Sequence, residues 1–233
     1  MKKKAHYLIP IAALLLASPA LAQTAYRFEF YGSGNKPLTK HFEIGYPQST
    51  VPMKGTYEFS IGARGGVRFG SDMWRHWGQD FVYSYGSNAA KIINQTNGVQ
   101  LAFTPRSHEF AYNLLWYPGR LDPKKKVFPY LTAGVGTRFY VLSQNTMNAA
   151  LDPSMLGLGQ LSNETIVTYN AGGGIRFRVN NVYGFRFDFR DNMSQAPRFG
   201  LPESSTDPSA VVFPVTGIMH QLEVSFSFIY YFR

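Results

Sequence analysis

Tyr183-Gly184-Phe185-Arg186-Phe187-Asp188-Phe189-Arg190 alternates aromatic residues with glycine or charged residues, without a break. In a strand, successive side chains point to opposite faces. One face of this stretch is Tyr183, Phe185, Phe187 and Phe189, and the other is Gly184, Arg186, Asp188 and Arg190. The preceding segment does the same. Val167, Tyr169, Ala171, Gly173, Ile175, Phe177 and Val179 oppose Thr168, Asn170, Gly172, Gly174, Arg176 and Arg178. The two arms read as an amphipathic hairpin. Whether its aromatic face meets protein or lipid decides the fold.

The turn of this hairpin is constrained by parity. Directly opposed residues share a face, and odd numbers carry the apolar face on both arms. A two-residue turn at Asn180-Asn181 would set Phe177 opposite Gly184 and invert one arm. The pattern predicts an odd-numbered turn, most simply Asn180-Asn181-Val182, or a bulge.

Outward from the hairpin the alternation recurs. Strands are expected at about 25–31, 56–70, 80–93, 108–117, 128–141, 165–179, 183–193 and 220–233. In 56–70, Tyr57, Phe59, Ile61, Ala63, Val67 and Phe69 share a face against Glu58, Ser60, Gly62, Arg64, Gly66 and Arg68. The first strand is the weakest, and Phe42, Ile44 and Tyr46 compete with Tyr26, Phe28 and Phe30 for the role. Connections alternate in length. Residues 32–55, 94–106, 144–163 and 195–218 are long, while 71–79, 118–127 and 180–182 are short. In an antiparallel meander this puts long loops at one end and short turns at the other, as in outer-membrane barrels. Trp74, Trp77, Trp116, Tyr117, Phe128, Tyr130, Tyr183, Tyr230 and Phe232 gather near the short-turn end, where a membrane boundary would favour them.

Composition is consistent with this. Of 233 residues, 16% are aromatic, which suits strands, while only 45% are hydrophobic, as expected when alternate residues are apolar. There is no cysteine, which excludes disulfides, thiol catalysis and Cys-ligated zinc. Lys2-Lys3-Lys4, an apolar run from Leu8 to Ala17 and Ala20-Leu21-Ala22 read as a secretory signal peptide over 1–22. That address argues against a nucleic-acid partner despite the net charge of +9. The basic residues are also dispersed, apart from Lys124-Lys125-Lys126.

Pro129-Tyr130-Leu131-Thr132-Ala133-Gly134-Val135-Gly136, Asn170-Ala171-Gly172-Gly173-Gly174-Ile175-Arg176-Phe177, Gly184 to Asp191 and the aromatic C-terminal strand resemble the outer-membrane protein A-type β-barrel superfamily, including its opacity-protein branch. The resemblance implies an all-β, antiparallel, eight-stranded transmembrane up-and-down barrel over 23–233. It also implies export to the bacterial outer membrane, with lipid or lipopolysaccharide and the assembly machinery as partners. The family's assembly signal maps to Phe228, Tyr230 and Phe232, with Arg233 as an extra residue after it.

With the aromatic faces outward, the lumen is expected to hold Glu58, Arg64, Arg68, Glu109, Arg138, Arg176, Arg178, Arg186, Asp188, Arg190 and Glu223, paired into networks because lone buried charges are costly. Gly62, Gly66, Gly134, Gly136, Gly172, Gly174 and Gly184 would leave them room. No cofactor motif or metal-ligand spacing is present: His41, His76 and His108 are scattered. Some barrels that this one resembles modify lipid A with a serine and a histidine. Here the matching region offers Ser194, with His220 across a loop and Asp191 nearby to orient it. The function expected is non-enzymatic, in envelope structure or surface interaction through the long loops. A narrow porin-like channel and a lipid A-modifying enzyme are the alternatives. The apolar residues of 144–163 (Met147, Leu151, Met155, Leu156, Leu158, Leu161) and of 195–218 (Val211, Val212, Phe213, Val215) would meet a surface ligand, or fold on one another.

Overall fold

In the computed structural model, residues 26–38, 41–44, 55–94, 100–122, 124–151, 161–204, 206, 212–213 and 217–232 are described. The leader expected at 1–22 and Arg233 lie outside them, as do Tyr46, Met155, Leu156, Leu158, Val211 and Val215. Among the described residues the chain forms ten strands and one short helix. The strands are β1 (Tyr26–Pro37), β2 (His41–Ile44), β3 (Gly55–Trp74), β4 (Trp77–Asn94), β5 (Gln100–Phe103), β6 (Arg106–Trp116), β7 (Val127–Val141), β8 (Glu164–Arg178), β9 (Tyr183–Gln195) and β10 (Ile218–Phe232). Helix α1 (Gln144–Ala150) follows β7.

Eight of the strands close a ring in the order β1-β3-β4-β6-β7-β8-β9-β10, and β10 pairs back with β1, every contact antiparallel. A closed ring leaves no edge strand unpaired. The remaining two extend the wall at the long-loop end. Strand β2 lies against the start of β3, so Phe42 and Ile44 continue the first strand rather than compete with it. Strand β5 keeps the register of β6: Ala90 faces Phe103 and Ser87 faces Arg106. These are one long strand, interrupted at Thr104-Pro105 where proline can donate no ladder bond. The expected polar loop at 94–106 is therefore partly wall. The expected connection at 71–79 is wall as well, because β3 and β4 run on to a tight turn at Arg75-His76.

The hairpin turn obeys parity. Phe177 faces Phe185 and Arg178 faces Gly184. The Val179 and Asn180 amides both donate to the Tyr183 carbonyl oxygen, at 3.0 and 3.2 Å. The Asn180 side chain accepts from the Val182 and Tyr183 amides at 2.8 and 2.7 Å, which fills the donors a three-residue turn leaves open.

The wall is two-sided. Phe30, Phe110, Leu131, Val135, Tyr169, Phe187, Phe189, Val224 and Phe226 stand exposed on the outside. Arg68, Arg138, Arg176, Arg186 and Asp188 are buried inside. Two register shifts interrupt the β3–β4 ladder, one between Asp72 and Trp74 beside the tight turn and one between Phe59 and Gly62 that sets which face the long-loop end of β3 presents. Phe59 faces Ala90 but Gly62 faces Asn88, so β3 carries an extra residue at Ser60-Ile61. A single extra residue exchanges the faces of everything beyond it. Phe59 thus turns inward and is buried, while Ile61 is 70% exposed.

Candidate functional site

The buried side chains inside the barrel lie in layers. Nearest the short turns, Tyr117, Phe128 and Leu115 are buried together. Arg176 lies over the Tyr117 ring at 4.9 Å and the Phe128 ring at 5.2 Å, and Arg178 over Phe128 and Tyr231 at 5.2 and 5.0 Å. Guanidinium groups stack on aromatic faces because the ring quadrupole attracts them. The expectation that Tyr117, Phe128 and Tyr130 line the boundary is corrected: they face inward. Strand alternation explains it, since Tyr130 shares a face with Thr132 and Arg138 rather than with Leu131. Tyr26, Trp77, Trp116, Tyr183 and Tyr230 are among the exposed aromatics at that end.

Above this layer, two knots of charge, one around Arg27 and Arg176 and one around Asp188, are joined through Asp80 and Glu29. Arg27 donates to Asp72 and Asp80, both at 2.5 Å, and to Glu29 at 3.2 Å. Arg176 grips Asp72 with two bonds of 3.0 Å. Arg186 reaches Asp80 at 2.7 Å, Glu29 at 3.2 Å, Asp188 at 3.0 Å and the Tyr130 hydroxyl at 2.6 Å. The Tyr130 hydroxyl in turn donates to Asp188. Arg68 donates to Asp188 at 2.8 Å and to Ser227 and Ser225 at 2.7 and 3.0 Å, and Arg190 donates to Asp188 at 3.2 Å. Space for these groups comes from glycine: a Cβ on Gly70 would fall on the Asp80 carboxylate and the Arg27 guanidinium.

Higher still, Arg64 bridges Glu223 and Glu109, both at 3.0 Å. Arg138 donates to Glu109 at 2.9 Å and to Gln221 at 2.9 Å. An amide layer completes the polar fill: Asn88 and Gln221 both donate to Asn35, at 2.5 and 2.6 Å.

The mouth at the long-loop end is apolar. Phe59, Ile92, Leu101, Phe103, Tyr140, Leu142 and Met219 from the strands and strand ends pack with Ala150, Leu161, Phe199, Leu201 and Phe213 from the two loops. Leu161 and Phe213 thus fold onto the barrel and Val212 is buried as well, while Leu151 of the same loops is exposed. Ser143 caps α1 by accepting from the Thr146 amide, which fixes the helix that delivers Ala150.

Two other expectations are decided by which face a residue occupies. Glu58 lies outside the charged lumen. It pairs with Lys91 at 3.0 Å on the outer extension, because the bulge at Ser60-Ile61 exchanges the faces of β3. The serine–histidine pair is divided. Ser194 faces Met219 across the ladder and points into the barrel, while the half-buried His220 points outward and meets Asp191 at 2.6 Å. The wall stands between the Ser194 hydroxyl and its supposed base, so neither can serve the other. Arg27, Glu29, Asp72 and Asp80, absent from the sequence-derived lumen, carry much of the network. The alternation around Phe28 and Phe81 holds the signal for Arg27, Glu29 and Asp80.

Set beside solved structures, the chain aligns with the outer membrane protein OprG from Pseudomonas aeruginosa over 90% of its own length and 96% of that chain, at 14% identity and a TM-score of 0.56. The fold is that of the small eight-stranded outer-membrane barrels. Looser matches are the N-terminal β-barrel domain of Pseudomonas aeruginosa OprF (10% identity, 87% and 96% coverage, TM-score 0.41) and Neisserial surface protein A (12%, 88% and 97%, 0.40). No family model and no curated protein sequence matches the chain.

Proposed function

We propose that this chain is a non-enzymatic barrel of the bacterial outer membrane, exported by its 1–22 leader. On this reading it carries neither a reaction nor an open pore, and serves envelope structure or surface contact through its long loops. The observation that carries the reading is the two-sided wall. Aromatic and aliphatic side chains cover the outside, and paired arginines and carboxylates fill the inside. A soluble sheet would bury the first and solvate the second; a lipid environment reverses both. The division of Ser194 from His220 supports the absence of serine-based chemistry. The apolar mouth above the charged layers supports a closed lumen, since eight strands enclose only enough space for side chains.

Outer-membrane lipid and lipopolysaccharide are the partners of the wall. The assembly machinery would read the outward Phe228, Tyr230 and Phe232 of β10, and a surface ligand would meet the loops. The test is membrane fractionation with electrophoresis before and after boiling. The expected result is a membrane-bound protein whose band shifts on heating; release without detergent overturns the reading. Planar-bilayer recording of the pure protein should show no stable conductance, and a steady open level would make it a narrow channel. An unchanged lipid A mass spectrum upon expression is expected, and a new lipid A species would make it an enzyme.

A further inference from the structure

The short-turn end carries the one basic run of the mature sequence, Lys124-Lys125-Lys126, and the fold enlarges it. The turn at Arg75-His76 and the connection 117–126 are tied together by backbone bonds. The Tyr117 amide donates to the His76 carbonyl oxygen and the Leu121 amide to that of Arg75, both at 2.8 Å. His76 Nδ1 lies 2.8 Å from the Tyr117 carbonyl oxygen, which can only accept, so Nδ1 carries the proton. On the other side the Arg178 amide donates to the Lys126 carbonyl oxygen at 2.7 Å. These bonds hold Arg75, Arg120, Lys124, Lys125 and Lys126 on one surface, and all five are exposed. Asp122 is the acid within that connection. One of its carboxylate oxygens accepts the Lys124 amide at 2.9 Å, so it serves the turn. Asp72, the nearest lumen acid, is held inside by Arg27 and Arg176. Two cations at the long-loop end are paired with acids: Lys91 meets Glu58 and Arg198 meets Glu203, each at 3.0 Å.

The platform also sits at a definite depth. Trp77 follows the Arg75-His76 turn directly, Trp116 precedes Tyr117, and the two face each other across the β4–β6 ladder. Both are exposed on the outer wall. Indole rings favour the level of lipid head groups. Lysine and arginine beside them can lay their stems on the apolar wall and extend their charges into the same layer. We propose that this end of the barrel is a binding platform for anionic glycerophospholipids of the leaflet it faces, with the lipid phosphate against the five cations and the acyl chains along Trp77 and Trp116. A cell-wall carboxylate would lie beyond the head groups; the tryptophans beside the cations favour the lipid. Because the backbone bonds fix the platform before lipid arrives, little ordering is lost on binding.

The inference rests on the membrane reading, and the two fail separately. The full chain, refolded in neutral detergent and checked by its heat-shifted band, is titrated with phosphatidylglycerol or phosphatidylcholine, and bound lipids are counted by native mass spectrometry. The expected result is a phosphatidylglycerol preference of at least about tenfold that fades as salt is raised. The K124Q/K125Q/K126Q variant should lose most of that preference, and adding Arg120→Gln should remove what remains. A matched control, K36Q/K91Q/R106Q at the long-loop end, should keep it. Equal retention of the two lipids by the wild type overturns the proposal, as does an undiminished preference in the triple lysine variant. A wild type without lipid preference that binds isolated cell-wall sacculi through the same lysines also overturns it and assigns the platform to the wall. A wild type whose band does not shift on heating removes the membrane reading itself.

Discussion

The inside of the barrel holds two buried regions of opposite chemistry. The charged layers are built from strand residues whose positions are fixed by the hydrogen-bonded ladder on both sides. The mouth joins a ring of apolar strand residues to loop residues (Ala150, Leu161, Phe199, Leu201 and Phe213) that no ladder holds on both sides. A buried ion-pair network must be satisfied almost completely or it is worse than an apolar core. Such a network needs a rigid frame, and the ladder supplies one. Apolar contacts are non-directional and tolerate the looser placement of a loop. Directional contacts thus sit where the backbone is rigid, and non-directional ones where it is not.

The contrast is broken most severely at Asp188. Its two oxygens serve Arg68, Arg186, Arg190 and Tyr130 at once. Asp188→Ala leaves three arginines short of a partner in a dry interior. The expected cost is about 3–5 kcal/mol, because removing one side of a buried pair strands the other. Urea unfolding in micelles, followed by the heat-shifted band, measures it. Unfolding at unchanged urea concentration would show that water already enters the lumen and solvates these charges.

Phe213→Ala is the corresponding break at the mouth. Phe213 is 1% exposed, and its amide donates to the Pro202 carbonyl oxygen at 2.8 Å. Loss of a buried phenylalanine costs about 3–5 kcal/mol in a rigid core. Here part of the strain is relieved by loop movement, so about 2–3 kcal/mol is expected, confined to the loops. Limited proteolysis should cut within 195–218 much faster, while the barrel's urea midpoint stays near wild type. A matching fall in that midpoint would mean that mouth and wall unfold as one unit.

The two regions also differ in how far the sequence alone reveals them. Arg68, Arg138, Arg176, Arg186 and Asp188 follow from alternation, because unbroken ladders preserve parity. Arg27 and Glu29 are marked by the alternation of Tyr26, Phe28 and Phe30 once that short strand is placed, and Asp72 lies past the point where the alternation of β3 fades. Glu58 and Phe59 exchange faces through a one-residue bulge, which leaves no mark in composition. The mouth is nearly illegible. Leu161 and Phe213 are ordinary apolar loop residues, and only closure of the ring gives them something to cover. Leu101 and Phe103 read as loop because Pro105 divides their strand from the next. The site is thus readable where periodicity governs placement and opaque where contacts between distant segments do.

A gentler pair of substitutions compares the two faces of the wall itself. Gly174 lies on the inner face of β8, and a Cβ there would run into the Phe187 carbonyl oxygen and the Tyr130 hydroxyl. Gly174→Ala should displace Tyr130 from Asp188 and cost about 1–3 kcal/mol through overpacking. Gly34, on the outer face of β1, has no neighbour within 4 Å of the place a methyl group would take. Gly34→Ala should be neutral or slightly stabilising, by up to about 1 kcal/mol, since alanine restricts the unfolded chain and meets nothing in the folded one. Parallel urea titrations of the two variants measure the gap. If the inner substitution were as harmless as the outer one, the lumen would have slack that the packed network of Arg186, Tyr130 and Asp188 does not allow.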